Sequence, residues 1–214
     1  MNDPFELTIR GQLFQIHSSE KEPPRAVILA LHGLSGDQHS MAIFTRKFHR
    51  DFCVIYPRAF YELPNGGFSW LKFPAEQTTA ASPWIDASNL LHFNFELLMI
   101  DLGYQTLPFH LIGFSQGAAL GLVYSTHHLP PGSKAALLAG FMPEGFPLRP
   151  NSLSNHTYFI YHGKNDTTVS SDESVRMVQA LKESGAAVEY CESTAGHKLS
   201  LGCLESLEKY ILEH

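Results

Sequence analysis

Apolar and polar residues alternate on both sides of Gly11: Phe5, Leu7 and Ile9 approach it, and Leu13, Phe14 and Ile16 follow. A period of two interrupted by a turn-former predicts a short hairpin at the edge of a sheet. Residues 25–31 (RAVILAL) run continuously apolar between Pro23-Pro24 and Gly33, the pattern of a strand buried on both faces in a parallel sheet. Residues 52–56 (FCVIY), stopped by Pro57, and 109–114 (FHLIGF) read the same way, and shorter strands are predicted over 135–138, 158–161 and 187–191. Between these runs the spacing turns helical. Met41, Phe44, Lys47 and Phe48 predict an amphipathic helix within 37–50, and 84–102 reads as a long helix ended by Gly103. Further helices are expected over 116–127, 172–184 and 199–212. Strands alternating with helices predict an α/β fold, with a mainly parallel central sheet covered by helices on both faces.

Residues 58–83 break this rhythm. Gly, Pro and aromatic residues fill about 26 positions without a clear period, which is long for a connection and marks a functional loop. No repeat or linker divides the chain, so one domain is expected over residues 1–214. Composition sharpens the picture: 44% hydrophobic and 17% charged residues supply a sizeable core and exclude a disordered chain. The net charge of −6, with no basic cluster, argues against nucleic-acid binding and mildly disfavours strongly anionic substrates. Cys53, Cys191 and Cys203 are odd in number and widely spaced, without a C-x-x-C pair. That spacing predicts neither a disulfide framework nor a structural zinc site, and it points to a reducing, cytoplasmic setting. No signal-peptide pattern opens the sequence, and no apolar run is long enough to span a bilayer.

The chemistry is concentrated at 113–117, Gly-Phe-Ser-Gln-Gly, a G-x-S-x-G at the junction of a predicted strand and helix. A serine there occupies a strained turn above the sheet edge, so the flanking positions need to be small where strand and helix approach. The helix N-terminus behind it favours the negative charge of a developing oxyanion. A nucleophilic Ser115 needs a base and an acid, which follow it in that fold in the order acid, then histidine. His197, in a short loop between the last strand and the last helix, is best placed as the base. Asp166, in the turn after the strand at 158–161, is the candidate acid, with Asp172 and Glu173 as competitors in the next helix. Loop 31–37 follows RAVILAL, and its Leu34 N–H is expected to complete an oxyanion hole with the N–H of Gln116. No H-E-x-x-H, P-loop or G-x-G-x-x-G pattern is present, so no metal or nucleotide cofactor is expected.

Taken together, LHGLSGD at 31–37, YPRA at 56–59, GGFSW at 66–70, GFSQGAAL at 113–120, LLAGFMP at 137–143, HGKNDTTV at 162–169 and AGHKLS at 195–200 resemble the phospholipase/carboxylesterase family of serine hydrolases. That group includes acyl-protein thioesterases and small bacterial carboxylesterases. The resemblance implies an α/β-hydrolase fold with little or no lid, a Ser115–Asp166–His197 triad, and an oxyanion hole from Leu34 and Gln116. It also implies that the aromatic loop around Trp70 lines the acyl side of the cleft, with Phe68 beside it. The composition of that loop is equally that of an Ω-like segment packed on itself. Asn165 and Ser170 stand where relatives often carry Gly and Pro, which alters the rim.

The expected activity is hydrolysis of a carboxylic ester or thioester through an acyl-enzyme, without a cofactor. The substrate class is a small-molecule ester or thioester, extending to acylated lipids or proteins, and the protein is expected as a monomer or homodimer. A peptidase or dienelactone-type hydrolase on the same fold, and a non-catalytic ligand-binding relative, are the alternatives.

Overall fold

The computed structural model describes residues 3–72 and 81–213. Strands β1 (Phe5–Ile9) and β2 (Gln12–His17) form the hairpin, with Leu7 opposite Phe14 and Gly11 in the left-handed region at φ +84°. Strand β2 pairs antiparallel with β4 (Cys53–Pro57), which lies parallel to β3 (Val27–Leu31). Parallel pairing then continues through β7 (Phe109–Phe114), β8 (Lys134–Leu138), β9 (Thr157–Gly163) and β10 (Ala187–Ser193). The eight strands run in the order β1-β2-β4-β3-β7-β8-β9-β10.

Side chains of successive strand residues serve opposite faces, and this divides the core in two. Val27, Leu29, Leu31, Cys53, Ile55 and Leu111 face α2 (Ser82–Asp101), α3 (Gln116–His128) and α4 (Ser171–Glu183). Ile28, Ala30, Val54, Tyr56 and Ile112 face α5 (Leu201–Leu212) and the chain around α1 (Ala42–Thr45). The continuous apolar runs are therefore two period-two patterns superimposed.

Two local expectations change. The helix predicted within 37–50 is only α1 followed by a 3-10 turn over Arg46–Arg50. Met41 and Phe48 still reach the core, while buried Thr45 turns its hydroxyl back onto the Met41 carbonyl at 3.0 Å, a bond that competes with regular helix. Within 58–83, β5 (Tyr61–Glu62) and β6 (Phe68–Ser69) form a small antiparallel ribbon. Phe73, the far end of the aromatic segment, lies outside the described residues.

The cysteine expectation is corrected. Cys191 in β10 and Cys203 in the first turn of α5 form a disulfide, with Cα atoms 5.9 Å apart, and buried Cys53 is the remaining thiol. Counting along the chain concealed the pair because α5 folds back against β10 only in three dimensions. The bond also removes the argument from cysteine usage for a reducing compartment. Among the described residues no helix is long and apolar enough to cross a membrane.

Candidate active site

Parallel strands bring their C-terminal ends to one edge of the sheet, where ligand sites in open α/β folds gather. The loops after β3, β7, β9 and β10 carry Leu34, Ser115, Asp166 and His197 to that edge. Ser115, between β7 and α3, sits at φ 53°, ψ −117°, a conformation that L-residues avoid. The glycines at its sides make this possible. A Cβ at Gly113 would lie 2.4 Å from the Gly117 carbonyl oxygen, and one at Gly117 would lie 2.3 Å from that of Leu31. Neither position has room for a side chain, so strand and helix meet closely enough to force the serine outward.

His197 faces this serine, its Nε2 2.9 Å from Ser115 Oγ. Its Nδ1 is 2.6 Å from Asp166 Oδ2. A carboxylate only accepts, so Nδ1 carries the proton and Nε2 is left free to accept from the serine hydroxyl. Asp166 is held in turn: Oδ1 accepts the N–H groups of Thr168 at 2.8 Å and Val169 at 3.0 Å. Burial alone would raise its carboxyl. The bonds from Val169, His197 and Thr168 outweigh that and hold it below its ordinary value. The rival acids stand elsewhere. Asp172 and Glu173 lie in the first turn of α4, and Glu173 pairs with Arg176 at 2.8 Å.

Behind the carboxylate lies a residue that sequence reasoning passed over as a role-player. His162, fully buried at the end of β9, donates from Nε2 to the Val169 carbonyl at 2.9 Å and stands 3.4 Å from Asp166 Oδ2. It braces the turn that presents Asp166. His32, at the end of β3, is likewise scaffolding: it is buried, accepts the Ala59 N–H on Nε2 at 3.1 Å, and its Nδ1 meets the Gly33 carbonyl at 2.7 Å. Burial lowers its pKa despite that last bond.

The space in front of Ser115 is a cleft of about 1020 Å³. Leu34 and Gln116 line it beside Ser115 and His197. Among the described residues, the N–H groups of Leu34 and Gln116 find no hydrogen-bond acceptor, so two donors remain available at this point. One wall is apolar, built from Leu71, Trp84, Phe141 and Met142, with Trp84 and Phe141 edge to face at 5.6 Å. The other carries Thr168, Ser170, Glu173 and Arg176. Trp70 and Phe68, expected on the acyl wall, are not on it among the described residues. Trp70 is fully buried and donates its indole N–H to the His32 carbonyl at 2.8 Å, and Phe68 stacks under the Arg58 guanidinium at 4.6 Å. The aromatic wall comes instead from α2 and from the loop after β8. The stretch LLAGFMP, positioned after a strand on the same edge, was the available signal for Phe141 and Met142.

Among the described residues, no cluster of His, Cys, Asp and Glu is arranged to hold a metal ion. A mostly parallel sheet with a strained Gly-x-Ser-x-Gly turn at its C-terminal edge is the architecture of an α/β hydrolase. The sequence profile of the phospholipase/carboxylesterase family matches residues 12–214, and the chain belongs to that family. Among solved structures it is similar to a carboxylesterase from Mesorhizobium loti (TM-score 0.84, 18% identity, 100% of each chain covered). A carboxylesterase from Bacillus cereus gives a TM-score of 0.80 at 21% identity over 92% of each chain. Arabidopsis thaliana SOBER1 gives 0.70 at 23% identity, covering 87% of this chain and 97% of that one. At such identities the likeness is one of fold. No curated protein sequence gives a significant match.

Proposed function

We propose that this protein is a serine hydrolase that cleaves carboxylic esters or thioesters through an acyl-enzyme intermediate, all within one catalytic domain. His197 Nε2 takes the proton from Ser115 Oγ as that oxygen attacks the acyl carbonyl. Asp166 keeps the imidazole in the tautomer that leaves Nε2 free and stabilises the imidazolium that forms. The N–H groups of Leu34 and Gln116 receive the oxyanion, each worth about 3–4 kcal/mol in the transition state. His197 then protonates the leaving alkoxide or thiolate, and water attacks the acyl-enzyme by the same route in reverse.

The observation that carries this reading is the unbroken chain from Ser115 through His197 to Asp166, at 2.9 and 2.6 Å, on the floor of an open cleft. The apolar wall of Leu71, Trp84, Phe141 and Met142 suits the acyl chain of a small-molecule ester, a lipid or an acylated protein. Ser115→Ala is expected to abolish turnover of p-nitrophenyl butyrate and labelling by a fluorophosphonate, with the fold intact by circular dichroism. Undiminished turnover in that variant would overturn the assignment, and a folded wild type that neither turns over nor labels would favour a ligand-binding relative.

A further inference from the structure

The two proposed oxyanion donors come from loops far apart in sequence, and strand β6 is bonded to both. On one side it grips the loop that carries Leu34. The Ser35 N–H donates to the Phe68 carbonyl at 3.0 Å, and the Phe68 N–H donates to the Gly36 carbonyl at 2.9 Å, forming an antiparallel bridge. Gly67 enters this contact at φ +75°, and a Cβ there would lie 2.0 Å from the Ser35 carbonyl oxygen, so the two backbones touch. On the other side β6 is gripped by the side chain of Gln116, whose own backbone N–H is the second donor. Gln116 Oε1 accepts the Trp70 N–H at 3.1 Å, and Nε2 donates to Ser69 Oγ at 3.1 Å. The Ser69 hydroxyl donates in turn to the carbonyl of Leu71, a residue of the cleft wall, at 2.7 Å. Finally, the Trp70 indole ties the same segment to the carbonyl of His32, two residues before Leu34.

We infer that the Gln116 side chain is a positioning residue. Through β6 it fixes the spacing between the Leu34 and Gln116 N–H groups and so sets the geometry of the oxyanion hole. An oxyanion hole acts because its donors are already aimed before charge develops, and a displacement of about 1 Å forfeits much of the effect. Gln116 is suited to this task because its amide offers one acceptor and two donors on the residue whose main chain does the stabilising. Phe68 and Trp70 thus serve the site from behind, as the brace of its donors, while Leu71 at the end of the same segment reaches the cleft wall.

This inference rests on the serine-hydrolase reading, and the experiment separates the two. In Gln116→Met, which keeps the length and removes both bonds, kcat per site titrated with fluorophosphonate is expected to fall about tenfold to a hundredfold. KM for p-nitrophenyl butyrate should change less than threefold, and a trifluoromethyl ketone, which presents an oxyanion when bound to serine, should lose affinity in parallel with kcat/KM. Ser69→Ala removes one of the same bonds and should give a smaller loss of the same kind. Because both act through one network, the double variant should be no slower than Gln116→Met within twofold. A role confined to stability would lower the number of titratable sites and leave kcat per site and ketone affinity unchanged, and that result overturns the inference. So does a double variant whose losses multiply. Wild type that fails to label at Ser115 would instead overturn the underlying reading.

Discussion

A single backbone angle does much of the site's preparation. Ser115 at φ 53° costs on the order of 1–3 kcal/mol, and the turn persists because Gly113 and Gly117 let strand and helix close around it. Asp166 is the complementary residue, an acceptor with all its partners supplied. Asp166→Asn preserves its shape but permits the wrong imidazole tautomer, so kcat for p-nitrophenyl butyrate should fall on the order of 10⁴-fold. A loss below tenfold would move the acid role to Asp172 or Glu173. Since the folded carboxyl lies below its ordinary 3.8, its contribution to stability is present above that value and is lost as pH falls through the folded one. The aromatic residues divide by role. Trp84→Ala or Phe141→Ala should shift the preference among p-nitrophenyl esters toward shorter chains, by up to about tenfold for two methylenes. Trp70→Ala opens the core instead, costing roughly 3–5 kcal/mol and leaving the chain-length order unchanged. The reverse pattern would restore Trp70 to the acyl wall.

Elements carry these residues with different security. Strands β3, β7 and β9 are buried in the sheet, whereas the segment bearing His197 runs between β10, at the sheet edge, and α5. The Cys191–Cys203 disulfide closes that segment, with His197 near its middle. A crosslink over a loop of this length is worth about 3 kcal/mol by chain entropy. Reduction should therefore lower Tm by roughly 6–12 °C in calorimetry. It should also reduce activity as the imidazole loses its constraint. Buried Cys53, its thiol pushed up to about 12 by burial and then by the charge of Glu22, should stay unreactive to thiol reagents in the native oxidised protein. An unchanged Tm after both new thiols are titrated would count against a constraining role for the bond.

Across the whole molecule, histidines set the response to acid. Burial pushes His49, His110 and His128 each down to about 4. The neighbouring charge of His17, those of Lys134 and Arg25, and those of His92 and His127 respectively act in the same direction. The unfolded chain takes up protons near 6.5 while the folded one does not, so stability falls as pH drops from about 6.5 towards 4. Urea midpoints should be lower at pH 5 than at pH 7, and His49→Gln should flatten the difference. Equal midpoints at the two values would contradict this arrangement of buried neutral rings.

The alternation of apolar runs and helical spacings was enough to predict the strands of the main sheet and its four longer helices along the chain, because burial on one or both faces imposes a period on it. The short helix around Ala42–Thr45 was not delimited by that pattern. The G-x-S-x-G turn and the position of Asp166 and His197 after strands were legible for a related reason: parallel strands deliver their following loops to one edge. Three things were not legible. The apolar cleft wall of Trp84 and Phe141 depends on α2 lying beside the loop after β8, a contact between remote segments with no shared pattern. The Cys191–Cys203 pair depends on α5 returning to β10. Trp70 looked like a pocket residue because aromatic composition is the same in a wall and in a brace. Only the backbone and side-chain hydrogen bonds that tie β6 to two distant loops, formed after the sheet has assembled them, decide which it is.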